Sequence, residues 1–173
     1  MRTIKLNLYK FEELCEEAQE KATKEKRNEG LFLESYIISE DLEDNLTELL
    51  KKNNIEELET PEVFWSLSHS QGDGAGFYGC FKYEENIFTV THKGQYSHKN
   101  SCEISLNNLD EELTEEVYEK KVREFKDLYD DICDKLEKNG YESIEFYESD
   151  ECIQENLICN EYDFLESGKL YQV

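Results

Sequence analysis

The stretch FWSLSHSQGDGAGFYGCF, residues 64–81, gathers Trp65, His69, Ser70, Gln71, Gly72, Asp73, Gly74 and Cys80 within a short span. An acid flanked by glycines can be brought up to a ligand, because glycine accepts positive φ and close backbone approach. A phosphate loop would need Gly-Lys-Ser/Thr to follow, and none does. A dinucleotide fingerprint would open a helix, whereas this stretch runs into a strand pattern. A His69, Asp73, Cys80 set lacks the nucleophile elbow and oxyanion signature of acyl transfer. The simpler expectation is a glycine-rich connection between strands, with Asp73 accepting hydrogen bonds from nearby amides. No catalytic residue is assigned, and the chain is expected not to be an enzyme.

The three histidines are His69, His92 and His98, and with Asp73 or Cys80 they could supply metal ligands. Structural zinc sites place ligands in two close pairs, and only His92 and His98 come near that spacing. They remain weak candidates, and no metal or cofactor is expected. Forty-two acidic residues make any catalytic carboxylate pair uninformative. The run DEELTEE, 110–116, reads as a solvated face. The run ESIEFYESDE, 142–151, is different, because its acids alternate with Tyr, Ile and Phe. Spaced negative charge beside apolar anchors can imitate a phosphate backbone. Glu142, Glu145, Tyr147, Glu148, Asp150 and Glu151 are therefore the candidate partner-binding residues.

The elements that must carry these residues belong to a strongly acidic chain. Its net charge of −23 repels nucleic acid and anionic membranes and attracts a basic protein surface. Residues 101–173 hold 22 acids against 7 bases, so the C-terminal part carries most of the charge. Aromatic residues make up 12% of the chain, enough to build a core in a folded, soluble domain. Six cysteines show no C-x-x-C spacing and are expected to be reduced thiols. No apolar run reaches membrane-spanning length, and the start MRTIKLNLYKF lacks a secretory apolar region. These features predict a soluble protein of the cytoplasm.

Alternation of Ile4, Leu6 and Leu8 predicts a short strand, and Phe11, Leu14, Ala18 and Ala22 recur at helical spacing as far as Gly30. A second helix is predicted from Phe32 to about Lys52. Residues 62–106 then read as an antiparallel meander. The stripe from Leu113 to Leu136 predicts a long helix stopping at Asn139-Gly140, followed by another around Ser149 to Cys159. The sum is a single α+β domain over 1–173, an antiparallel sheet of about four to six strands packed with three to four α-helices.

Four segments, KFEELCEEAQEKA, FWSLSHSQGDGAGFYG, HKGQYSH and ESDECIQENLICNEYDFLESGKLY, occur in that order. The chain thereby resembles a family of small bacteriophage and prophage proteins with a Ser-Gln-Gly-Asp-Gly centre, sometimes labelled antitoxins of a toxin–antitoxin stability system. Departures are the Leu67-Ser68-His69 insertion before that centre, Gln95 in place of a second histidine, and a helical middle that does not match. The resemblance implies a phage origin and assigns no chemistry to the loop Ser70 to Gly76 or to His92 and His98. Together with the charge, it leads to the expectation of an anti-defence protein of the anti-CRISPR kind. Such a protein would bind a basic host partner such as a CRISPR effector nuclease and block its nucleic-acid channel, without binding nucleic acid or membrane itself. An antitoxin neutralising a toxin, and a metal protein or enzyme using the His and Gly-Asp-Gly region, are the alternatives. Exposed aromatics among acids leave a homodimer open.

Overall fold

The computed structural model describes residues 5–29, 35–94, 96–107 and 113–171. Its backbone divides into two compact units, one formed by Met1–Ser35 with Ile144–Val173 and the other by Tyr36–Ser143. The architecture is α+β, with four α-helices and a five-stranded antiparallel sheet among the described residues.

In the first unit, Phe11, Leu14, Ala18 and Ala22 are buried against Ile153, Leu157 and Phe164. The helical spacing of the first four is thus a true core stripe, but the backbone is not one helix. Phe11–Glu13 form a 3-10 turn, Leu14 and Cys15 are extended, and α1 spans Glu16–Asn28. The Lys10 amide donates to Glu13 Oε2 at 2.8 Å and the Gln19 side chain donates to the Phe11 carbonyl at 3.0 Å, which fixes the break. The small side chains of Ala18 and Ala22 face α4, Asp150–Cys159, whose Ser149 N-cap accepts from the Cys152 amide. The expected strand at Leu6 and Leu8 is not formed. Leu6 is 57% exposed, and pairing begins only at Tyr9, which exchanges backbone hydrogen bonds with Phe164 at 2.9 Å in both directions. Alternation alone cannot make a strand without a neighbour to pair with. Ile4, Gly30 and Phe32, on which three of the boundaries were expected, lie outside the described residues.

In the second unit, α2 spans Ser35–Lys52 and is followed by β1 (Ile55–Glu57), β2 (Glu62–Ser66), β3 (Gly74–Tyr83), β4 (Asn86–His92) and β5 (Cys102–Asn107). Strand order is β1-β3-β4-β5, with β2 also pairing β3. The meander is present, joined at β3–β4 by the two-residue turn Glu84-Glu85, and β1 adds to it. The short β1 carries only one buried residue, Ile55, too little for a period-2 signal. α3, Glu115–Tyr147, covers the sheet: Phe125 stacks on Phe88 at 4.1 Å, and Tyr129 packs on Phe77 at 4.7 Å. Each fully buried aromatic of this kind contributes about 1.5–3 kcal/mol. The Tyr129 hydroxyl donates to the Phe77 carbonyl at 3.1 Å, so burying the phenol leaves no orphan.

The expected stop of the long helix at Asn139-Gly140 is overturned, because α3 continues to Tyr147. Gly140 is buried in the helix, and a Cβ there would run into Leu67 and stand 3.3 Å from Leu42 on α2. This glycine permits close packing and does not terminate the helix. Asn139 also donates to Asn45 of α2, at 3.0 Å, instead of capping.

Candidate functional site

The connection from β2 to β3 is built around Asp73. Its Oδ1 accepts from the Ser66 hydroxyl at 2.7 Å, and its Oδ2 accepts from the Ser68 amide at 2.7 Å, the Ser68 hydroxyl at 2.9 Å and the Ser70 amide at 2.7 Å. The Asp73 amide donates back to the Ser70 carbonyl at 3.2 Å. The Ser66 hydroxyl and the Ser70 amide, joined by both groups of Ser68, hold the Asp73 carboxyl well below the usual carboxylate range against the opposing pull of desolvation. Such a carboxylate is ionised and saturated with donors. It organises the turn and is not a base waiting for a proton.

A second loop, between β4 and β5, closes over the first. The Ser97 amide donates to the Gly72 carbonyl at 3.2 Å, and the Lys93 amide to the Ser101 carbonyl at 2.8 Å. Gly72, at φ +93°, lies against the Tyr96 ring, where an added Cβ would be 2.5 Å from Cδ1. Gly74, at φ +152°, would with a Cβ meet His98 Cβ at 3.0 Å. The glycines of the motif therefore let two loops interlock. Far-apart motifs, Ser70–Gly74 and His92–His98, become one surface at this point. A groove of about 310 Å³ remains, lined by Gln71, Gly72, Tyr96 and His98.

The three histidines do not converge. His69, at φ +58°, stacks on Tyr141 at 4.4 Å, and its amide points to the Tyr141 hydroxyl. His92 stacks on Phe64 at 4.1 Å with Nε2 3.2 Å from the Tyr96 carbonyl. His98 stacks on Tyr96 at 5.7 Å and has a buried Nδ1 without a partner. Among the described residues no group of three His, Cys, Asp or Glu is placed to hold a metal ion. Trp65 sits on β2 and donates its indole N–H to the Ser39 hydroxyl of α2 at 2.9 Å. Cys80 lies within β3, its sulfur 4.0 Å from the Thr89 hydroxyl.

The candidate partner-binding residues divide by environment. Glu142 pairs with Lys138 at 3.3 Å, and Asp150 pairs with Arg27. Asp150 and Glu151 occupy the first turn of α4, where negative charge is favoured by the helix dipole. Glu145 and Glu148 are exposed, while Tyr147 is half-buried with its ring edge-to-face on Phe146 at 5.4 Å. Phe146 itself is 61% exposed.

Sequence reasoning missed a further acidic place. A cavity of about 510 Å³ in the second unit is lined by Glu43, Asp44, Glu57 and Glu62, with Leu46, Pro61 and Val63 as apolar walls. Glu62 accepts from the Tyr78 hydroxyl, which pushes that phenol up. Among the described residues, Glu43, Asp44 and Glu57 form no ion pair. These four acids come from α2 and from the β1–β2 segment, and no local spacing announces that they meet.

No family model, curated protein or solved structure matches this chain.

Proposed function

We propose that this chain is a phage-derived, acidic anti-defence protein that binds a basic nucleic-acid-binding host effector, a CRISPR nuclease foremost, and occupies its nucleic-acid channel. The observation that carries this reading is uncompensated charge: a net −23, together with a cleft whose four carboxylates form no ion pair among the described residues. The cleft also has apolar walls, which suit the methylene stems of Lys and Arg while the acids take the cationic heads. Glu145, Glu148 and Glu151 beside exposed Phe146 form a second acidic surface with an apolar anchor. The saturated Asp73 and the scattered histidines give the enzyme and metal alternatives little to work with. No helix among the described residues is long and apolar enough to cross a membrane. The site of action in this proposal is the host cytoplasm.

The test uses purified CRISPR effectors with a labelled guide or target strand and follows displacement by anisotropy. Displacement should be strong at ~50 mM salt and weak at ~500 mM, because the Debye length shrinks severalfold over that range. Charge reversal at Glu43, Asp44 and Glu57, or separately at Glu145, Glu148 and Glu151, should then raise the displacing concentration. Displacement that ignores both salt and these reversals would refute the electrostatic mechanism.

A further inference from the structure

We propose that the groove lined by Gln71, Gly72, Tyr96 and His98 binds a planar, uncharged heterocycle of the nucleobase class, stacked on the Tyr96 ring with its acceptor edge toward the Gln71–Gly72 backbone. The inference is independent of the basic-partner proposal. Three observations select this chemistry. First, the groove, at about 310 Å³, has no acid, lysine or arginine among the described residues that line it, and lies at the small end of ligand pockets, which run roughly from 300 to 1,000 Å³. Asp73, the acid of the adjoining loop, has both oxygens occupied by loop donors. The chain has no acid between Glu85 and Glu103, and the two lysines of that stretch that flank the loop, Lys93 and Lys99, are paired with Glu103 and Asp134. Second, Tyr96 is 57% exposed yet seated on the α-carbon of Gly72, where its ring is held as a platform. The His98 imidazole already lies parallel to this ring at 5.7 Å, and the exposed remainder of the ring is the kind of surface that bases stack upon. Third, among the described residues the backbone N–H groups of Gln71 and Gly72 donate to nothing, and the Gln71 amide is exposed beside them. Two consecutive free donors next to a side-chain amide suit carbonyl and ring-nitrogen acceptors.

A cation would find no carboxylate among the described residues that line the groove, and a multiply charged anion would meet the field of a −23 molecule. A neutral ring escapes both penalties. The same base can arrive as a free nucleoside or as an unpaired residue of a strand, and the field predicts that the nucleoside binds at least as well.

The experiment titrates the ¹⁵N-labelled protein with thymidine, adenosine and a short oligothymidylate, each to ~5 mM, a range suited to the weak affinity of a single stacking contact. Nucleoside-induced shifts at Gln71, Gly72, Tyr96 and His98 are expected, with Tyr96→Phe close to wild type. Tyr96→Leu, which still covers Gly72, should weaken binding roughly tenfold, within the range of losses seen when a base-stacking ring is removed. Oligothymidylate no better than thymidine assigns the ligand to a free nucleoside, and tighter oligothymidylate binding through the same residues assigns it to a strand; either supports the site. Absence of shifts, shifts unaffected by Tyr96→Leu, or equal shifts with N-acetyl-tyrosinamide would overturn it, the last by showing an unselective aromatic seat.

Discussion

Substitution Gly140→Ala tests how the long helix supports the candidate loop. Gly140 lies inside α3, so alanine should gain about 1 kcal/mol of helix propensity. The new Cβ would press on Leu67 and approach Leu42 Cδ2 to 3.3 Å, and overpacking of this kind costs about 1–3 kcal/mol. The clash outweighs the propensity, for a net loss of about 1 kcal/mol and a fall in Tm of about 2–4 °C at this chain length. Leu67 directly precedes Ser68, so the strain should appear as amide shifts from Ser68 to Asp73 with helicity unchanged. The decisive assay is a thermal-melt cycle with Leu67→Ala. In that background the clash with Leu67 is removed and only the 3.3 Å approach to Leu42 remains, so Gly140→Ala should become stabilising, by up to about 1 kcal/mol. If Gly140→Ala destabilises equally with and without Leu67, the helix does not pack on the loop through this glycine. A loss of helicity would instead mean that the helix ends here.

Asp73→Asn should lower Tm near neutrality. Because its folded carboxyl lies below the ordinary value of about 3.9, the stability it contributes is present above that value and is lost as pH falls below it. The Tm gap between wild type and Asp73→Asn should therefore narrow from pH 6 to pH 2, and a constant gap would contradict the hydrogen-bond account. Cys15 and Cys159 are exposed, whereas burial pushes the Cys133 thiol up to about 12. Iodoacetamide at pH 8 should thus label the first two in the native protein and Cys133 only after unfolding, as read by mass spectrometry. Phe88→Ala, which empties the seat of Phe125, should cost about 3–5 kcal/mol by denaturant titration.

The α+β class, the meander and the last helix were legible because their signals are local: aromatic and β-branched runs, apolar stripes and a Ser N-cap. What was illegible depended on distant partners. Leu6 and Leu8 alternate like a strand but find no neighbour, and Asn139-Gly140 reads as a stop until Leu67 and Asn45 are seen beside it. The site behaved similarly. Asp73 and its glycines stand out in the sequence, and the amides that satisfy Asp73 lie within five residues of it. Tyr96 does not stand out, because its contact with Gly72 crosses two loops. The acidic cleft is hidden among 42 acids, since only folding shows which of them share a cavity.

Strand β2 links the two surfaces of the second unit. Glu62 and Val63, at its start, line the acidic cleft, and Ser66, at its end, donates to Asp73 under the glycine loop. Among the described residues the carboxylates at the first end form no ion pair, while the carboxylate at the second end accepts from four donors. Solubility alone does not account for a carboxylate whose acceptors are all taken at one end and acids crowded together at the other. The difference suits the two ligands proposed above: a cationic one where carboxylates are free to accept, and an uncharged one where the carboxylate's acceptors are already taken. Reversing charge in the cleft should therefore leave nucleoside-induced shifts at Tyr96 intact, and Tyr96→Leu should leave displacement of the effector's nucleic acid unchanged. Cross-sensitivity in either direction would mean that the two ends serve a single partner.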